Sequence, residues 1–281
     1  MDIYFPQNNI NILIEPFRLK QEIKDSFSQL IDTFDPITLA EMDSVELMNR
    51  VDTKYIIKNS QLPGLLEKAL EDYRMVEVNG KRMIPYSTIY FDTADAEMYM
   101  MHHNGKLNRN KIRMRSYIDS GISFLEVKAK NNKGRTTKSR ISISNEQFES
   151  MHLKENEYHF LNEMNCKMGS IKPQIQNSFR RITLVDKNMT ERITLDTRLS
   201  FQNLSTGMRN NLPELVVIEM KQDAASHSQF KNYLNEIRVK PGSLSKYCLG
   251  MMLVKPGLKS NGFKNKLRKI SKITDNSHGT V

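Results

Sequence analysis

Cationic side chains recur at every second position in several separate stretches of this sequence. Lys111, Arg113 and Arg115 alternate with Ile112 and Met114, Glu126, Lys128 and Lys130 with Val127 and Ala129, and Lys138 and Arg140 with Ser139 and Ile141. Arg50, Asp52 and Lys54 alternate with Val51 and Thr53, Arg192, Thr194, Asp196 and Arg198 with Ile193, Leu195 and Thr197, and Glu219 and Lys221 with Ile218 and Met220. Successive strand residues point to opposite faces, so each stretch reads as a strand with one apolar and one charged face. The charged faces are biased: Lys54, Lys111, Arg113, Arg115, Lys128, Lys130, Lys138, Arg140, Arg192, Arg198 and Lys221 stand against Asp52, Glu126, Asp196 and Glu219. A face that only meets water mixes its signs, because like charges opposite one another destabilise a sheet. Arg forks and Lys ammonium groups at this density are the groups that grip phosphate oxygens. Isolated carboxylates among them suit Mg2+ or Mn2+, hard ions that bridge phosphates.

Helices must cover the apolar faces. Thr38 and Glu41 form the capping-box pattern T-x-x-E, with Ile37 and Met42 placed as a hydrophobic staple. Ser60 precedes a helix carrying Leu62, Leu65, Leu66, Ala69, Leu70 and Tyr73; Asn145 opens another with Phe148, Met151, Phe160 and Leu161; a further helix starts near Ser226 with Phe230, Tyr233, Leu234 and Ile237. After Pro16, Phe17, Ile23, Phe27, Leu30 and Ile31 are loosely helical in spacing. If the sheet closes with its helices outside, the charged side becomes the lumen, and about eight strands leave an interior for side chains or one small ligand. Closed in this way the fold would be α+β, an antiparallel β-barrel tunnel of about eight strands with a basic lumen, surrounded by helices; the alternative is an open antiparallel sheet with its charged face in water. Two unit charges 4 Å apart interact by roughly 4 kcal/mol at an effective dielectric of 20. A lumen with so many cations requires an anionic occupant, counterions or depressed lysine pKa values, and a linear triphosphate or polyphosphate fits it.

The chain has 281 residues and a net charge of +10. From Lys255 to Val281 seven basic residues face Asp275 alone, leaving +4 for the remainder. That tail is expected to be a disordered basic extension, suited to an anionic surface or a membrane-protein partner. No apolar run approaches the ~20 residues that span a bilayer, and the N-terminus lacks the basic and apolar regions of a signal peptide. Cys166 and Cys248 cannot make a disulfide framework or a zinc site, and fit a reducing, cytoplasmic location. There is no G-x-G pair, no P-loop and no H-R-D or D-F-G. His102–His103 reads as a polar loop, His152 and His159 as surface residues on a helix, and Met98, Tyr99, Met100 and Met101 as packing.

The motifs F-D-P-I-T-L-A-E-M-D-S-V-E-L-M-N-R-V-D-T-K-Y (Phe34 to Tyr55), S-T-I-Y-F-D-T (Ser87 to Thr93), K-I-R-M-R-S-Y (Lys111 to Tyr117) and L-E-V-K-A-K (Leu125 to Lys130) resemble the VTC domain. So do K-S-R (Lys138 to Arg140), R-I-T-L-D-T (Arg192 to Thr197), V-I-E-M-K (Val217 to Lys221) and S-K-Y (Ser245 to Tyr247), in the same order. This is the polyphosphate polymerase domain of the triphosphate tunnel metalloenzyme (CYTH-like) superfamily. The resemblance runs from about residue 34 to 254, between an N-terminal helical extension (1–33) and the basic tail (255–281). It implies the antiparallel β-barrel tunnel wrapped by helices, and transfer of the ATP γ-phosphoryl group to a growing polyphosphate chain with Mn2+ or Mg2+.

By resemblance, Lys54, Arg113, Arg115, Lys128, Arg181, Arg192 and Lys246 are the catalytic residues, Lys111, Lys130, Lys138, Arg140 and Lys221 bind substrate, and Glu219 carries the metal with Glu126 as helper. Phe179 and Leu184 replace the aromatic residues that flank the family's arginine, so Arg180 competes with Arg181 for that position. The superfamily's acidic first strand, E-x-E-x-K, reads R-V-D-T-K here, which favours polymerase over hydrolase chemistry. Two alternatives remain: a triphosphatase on the same fold, and a non-catalytic polyphosphate-binding module. Nucleic acid is disfavoured as a partner because no aromatic platforms are interleaved with the basic residues along the strands.

Overall fold

The computed structural model describes residues 25–43, 50–133, 135–166, 171–223, 227–242 and 244–274. The six alternating stretches are strands. The main path runs β2 (Arg50–Lys58), β11 (Leu215–Asp223), β9 (Glu191–Asn203), β8 (Lys172–Asp186), β4 (Ile84–Asp92), β5 (Arg109–Tyr117), β6 (Ile122–Lys130) and β7 (Thr136–Ile143), antiparallel throughout. Short strands β1 (Pro36–Ile37), β3 (Tyr73–Val76) and β10 (Arg209–Leu212) extend it to eleven.

One apolar face packs under α3 (Leu62–Ala69), α7 (Gln229–Glu236) and a helix at residues 25–32 (α1), with Tyr55, Ile182, Leu184, Ile193, Leu195, Val216 and Ile218 beneath them. Farther along, α4 (Glu97–His103), α5 (Asn145–Ser150) and α6 (Glu155–Glu163) cover Ile112, Met114, Leu125 and Val127. Thr38 and Glu41 form the expected box before α2 (Leu39–Asp43): the Glu41 N–H donates to Thr38 Oγ1 at 3.2 Å, and the Thr38 N–H to Glu41 Oε2 at 2.8 Å. The cap of α5 is Ser144 rather than Asn145, because the Ser144 hydroxyl reaches the Gln147 N–H and Gln147 answers. Ser228 caps α7. The predicted start at Ser226, and Phe17 and Ile23 of the N-terminal pattern, lie outside the described residues.

The charged side curls. Lys128 on β6 interacts with Glu219 on β11 and with Lys54 and Asp52 on β2. Five strand spacings on a flat sheet would set β6 and β11 roughly 24 Å apart, well beyond the ~10 Å screening length. The expected closure is not made, however: among the described residues no ladder joins β2 to β7. The loop after α7 takes the free side of β2, where the Gly242 N–H donates to the Lys54 carbonyl at 2.8 Å. Edge β7 carries exposed Lys138 and Arg140, charges that discourage further pairing. The sheet is an open, curled trough.

Helix α8 (Lys246–Val254) fills one end of the trough, packed on β8 and β9. The tail expected to be disordered contains a further helix, α9 (Lys264–Thr274), which buries Ile270 and Thr274 and contacts β2 and β11. Its apolar residues at a spacing of three, Leu267, Ile270 and Ile273, are hidden in a basic composition. Residues 275–281 lie outside the description. No helix among the described residues is long and apolar enough to cross a membrane.

Gly250 is where α8 meets the sheet: a Cβ there would lie 2.5 Å from Phe201 Cδ1 and 2.6 Å from Ile175 Cδ1. Alanine is the better helix former by about 1 kcal/mol, yet Gly250→Ala is expected to destabilise the protein by roughly 1–3 kcal/mol through overpacking, read as a lower denaturation midpoint.

Candidate functional site

Three carboxylates organise the trough. Glu126 on β6, 1 % exposed, accepts from Arg113 Nε at 2.7 Å, lies 3.9 Å from Arg115 Nε and pairs with Lys138. The β5–β6 register helps create this node by setting Arg113 opposite Glu126, and Lys138 reaches it from β7. Asp196 on β9, 2 % exposed, accepts both Arg181 Nε (2.6 Å) and a terminal Arg181 nitrogen (2.9 Å), and also pairs with Lys246. Glu219 on β11, 23 % exposed, meets Lys54 at 2.8 Å and Lys221 at 3.8 Å.

The fields at these nodes are strong. Burial opposes ionisation of Glu126, but Arg113, Arg115 and Lys138 outweigh it and hold its carboxyl at about 2. Burial also works against Asp196 and Glu219; Arg181 and Lys246 at the first, and Lys221 and Lys54 at the second, keep both well below the usual carboxylate range. The lysines move down. Burial, then neighbouring cations, brings Lys111 to about 8, and Lys221 goes to about 8 by burial with Arg192 and Arg181 adding to it. Burial also lowers Lys128, Lys138 and Lys246. The trough thus holds a standing excess of positive charge.

Lys246 opens α8, where a cation opposes the helix dipole; its ion pair with Asp196 offsets that. Ser245 caps the same helix through the Cys248 N–H and accepts from Lys111 Nζ at 3.2 Å. Asp92 anchors the other side: its carboxylate accepts the Thr93, Met98 and Tyr99 N–H groups at 2.8, 2.9 and 3.0 Å and receives the Tyr247 hydroxyl. The F-D-T and S-K-Y motifs meet in that contact.

Arg181, not Arg180, points into the trough; Arg180 is exposed. Lys111, Lys128 and Arg192 line the same face, Arg192 opposite Lys221. Arg140 stands at the rim over the Phe124 ring, 4.4 Å from its centroid. Lys130 sits at the strand end opposite Arg109, where burial and then Lys111, Arg109, Lys266 and Lys130 push His102 down to about 3. His102 and His103 belong to α4 rather than to a loop, and His152 precedes α6, which carries His159. Arg198 leaves the charged face: it takes a left-handed backbone (φ 52°) where the β8–β9 register shifts. Alternation restarts one residue out of phase, so Leu199 and Phe201 continue on the α8 side.

From sequence, Asp196 stood only among the charged-face carboxylates and Asp92 only within a motif, and an aromatic pair was missed. Tyr86 and Phe179 stack at 5.2 Å, with Arg181 4.9 Å above Tyr86 and Lys246 4.8 Å from Phe179. Aromatic side chains do lie among the basic ones, contrary to the strand-by-strand reading, because cross-strand register brings them together. Their faces are engaged by cations.

No three His, Cys, Asp or Glu side chains gather as a metal cluster among the described residues. Enclosed by three cations, Glu126 does not fit a metal ligand. Partly exposed Glu219 fits one that shares its ion with phosphate oxygens, since Mg2+ takes one or two carboxylates beside substrate phosphates.

The fold is thus an antiparallel trough flanked by helices, its concave face lined with paired cations. The VTC domain profile matches residues 49–255, and the chain belongs to the VTC-domain family. No curated protein matches it. Similar solved structures include a candidate adenylate cyclase from Bacillus halodurans (15 % identity, 70 % of this chain and 96 % of that one, TM-score 0.48). HpAC1 from Hippeastrum, a candidate adenylyl cyclase with a dominant triphosphatase activity, is similar at 12 % identity over 75 % of this chain and 99 % of that one, TM-score 0.43. The PH1819 protein of Pyrococcus horikoshii is similar at 14 % identity over 72 % of this chain and 98 % of that one, TM-score 0.40.

Three outcomes follow from the electrostatics. Asp196→Asn leaves Arg181 and Lys246 buried without their anion and should cost about 3–5 kcal/mol of stability, measured by chemical denaturation; an unchanged midpoint contradicts the node. Glu126 ionises more readily folded than unfolded, so its contribution is present above its ordinary value of 4.5 and is lost as pH falls toward about 2. Tripolyphosphate affinity, read by calorimetry, should decline as pH rises through about 8, where Lys111 and Lys221 lose their charge.

Proposed function

We propose that this chain is a polyphosphate polymerase that moves the ATP γ-phosphoryl group onto a polyphosphate chain lying in the trough. Membership of the VTC-domain family supports a triphosphate-related function. The observation that supports the finer reading is that Glu126 and Asp196 are enclosed by cations, Glu219 stays partly exposed, and the cations around all three remain in excess.

Arg113 and Arg115, fixed by Glu126, and Arg181, fixed by Asp196, clamp the triphosphate with Arg192 and neutralise the charge that spreads over the γ-phosphoryl oxygens. Lys54, Lys128 and Lys246 hold the acceptor chain in line, with Lys111, Lys130, Lys138, Arg140 and Lys221 along its course. A terminal oxygen of the chain forms the new bond to the γ-phosphorus as the bond to the β–γ bridging oxygen breaks, and ADP leaves with that oxygen. The attacking oxygen is already anionic, so no general base is required. A bound Mn2+ or Mg2+, held by Glu219 together with phosphate oxygens, would supply charge neutralisation at the β- and γ-phosphates. Glu126 acts here as the anion that positions Arg113 and Arg115. The exposed cations of α9, Lys264, Arg268 and Lys272, fit the second expected partner, an anionic surface or membrane protein.

The test is incubation with γ-labelled ATP and Mn2+ followed by sizing of the products on a gel. Label in long chains, with ADP formed in step, is expected; Arg113→Ala should lower incorporation at least ~100-fold while the circular dichroism spectrum is retained. Free phosphate without chain growth would identify a triphosphatase instead. Polyphosphate binding without ADP formation would identify a binding module.

A further inference from the structure

On the opposite side of the sheet from the trough, this basic protein carries an acidic cavity. It has a volume of about 330 Å3 and lies between the α3–β3 turn, the β8–β9 hairpin and the start of α7. Glu71, Asp72, Asp186 and Glu191 line it, with Lys187 and His227 as its basic residues. Two of the carboxylates are already used by the fold. Asp186 accepts the Thr190 N–H at 2.7 Å, the Thr190 hydroxyl at 2.9 Å and the Glu191 N–H, and Asp72 receives the Tyr233 hydroxyl.

Glu191 differs. It is 2 % exposed, and the Tyr73 hydroxyl fixes its Oε1 by donating at 2.6 Å. Tyr73 is itself held by accepting the Phe230 N–H at 2.9 Å. The Ser228 hydroxyl approaches the carboxylate as a donor and His227 adds a favourable charge, but the second oxygen, Oε2, is buried with no hydrogen-bond partner of its own. The Tyr55 hydroxyl, which feels the Glu191 charge, is likewise buried and unpaired. A buried acceptor left unsatisfied costs about 1–3 kcal/mol, more when charged, so an oriented carboxylate oxygen in a roomy cavity marks a place where a donor is missing. Burial raises the Glu191 carboxyl, as expected for a charge without its counterion.

The geometry points to a binding site for an organic cation, an alkylammonium or guanidinium group that donates to Glu191 Oε2 and is flanked by Glu71 and Asp72. The oxygens of Asp186 are committed to the hairpin and no three metal-ligating side chains converge among the described residues, so a divalent metal does not fit. An N–H donor needs one good acceptor and a surrounding negative field, which this cavity supplies. Such a group could come from a free polyamine or from a Lys or Arg side chain.

Calorimetric titration of the full chain with spermidine, N-acetyl-lysine amide and N-acetyl-arginine amide tests the site and separates the two sources. Saturable 1:1 binding of at least one probe is expected. Glu191→Gln should weaken it by roughly 30-fold, whereas Glu71→Gln at the exposed rim should change it by less than ~3-fold. Tyr73→Phe, which frees Glu191 without removing its charge, should also weaken it and serves if Glu191→Gln does not fold. Absence of saturable binding by all three probes, or binding unaltered in both Glu191→Gln and Tyr73→Phe, overturns the assignment.

Discussion

Glu126, Asp196 and Glu219 make it possible for one sheet face to hold so many cations. Each carboxylate engages at least two basic side chains, so each node fixes geometry while leaving charge uncompensated. At an effective dielectric of 20, like charges a few ångströms apart repel by several kcal/mol. Without the three anions the cations would splay toward solvent or deprotonate. With them, the cations stand in place and short of negative charge, a condition that an extended phosphate chain relieves along its length.

The rest of the architecture serves that arrangement. Antiparallel register places Arg113 opposite Glu126 and Arg181 opposite Asp196, so the ion pairs are consequences of strand pairing. Helices on the outer faces leave the charged side free to curl on itself. Helix α8 brings Lys246 to Asp196, and it can do so because Gly250 permits close approach to Phe201 and because Asp92 holds Tyr247. The unpaired edges β2 and β7 keep the trough open along one side, with the Gly242 loop and the charges of β7 protecting them.

Much of this was legible in the sequence because strands write their faces at every second residue. The alternation at 111–115, 126–130 and 219–221 located the strands and their charged side, and the T-x-x-E box marked α2. What was missed depends on relations between strands or on backbone geometry. Arg198 follows the alternation on paper but falls at a bulge, which no side-chain pattern announces. Tyr86 and Phe179 are 93 positions apart and become a stacked pair through β4–β8 register. Asp196 stood in the alternating pattern, yet its role needed Arg181 and Lys246 beside it. Closure into a barrel was expected from the helices that must cover the apolar faces and from the family resemblance, whereas closure depends on how the edges meet. α9 was masked by its basic composition, since five of its eleven residues are Lys or Arg.

The central claim is that the concave face receives a linear phosphate chain on cations held by the three carboxylates. A crystal structure with tripolyphosphate tests it most directly. The account predicts phosphate oxygens in contact with Arg113, Arg115, Arg181 and Arg192 inside the trough, with the ion pairs to Glu126 and Asp196 retained. Tripolyphosphate bound on the outer helices, or absent from the trough at saturating concentration, would contradict it.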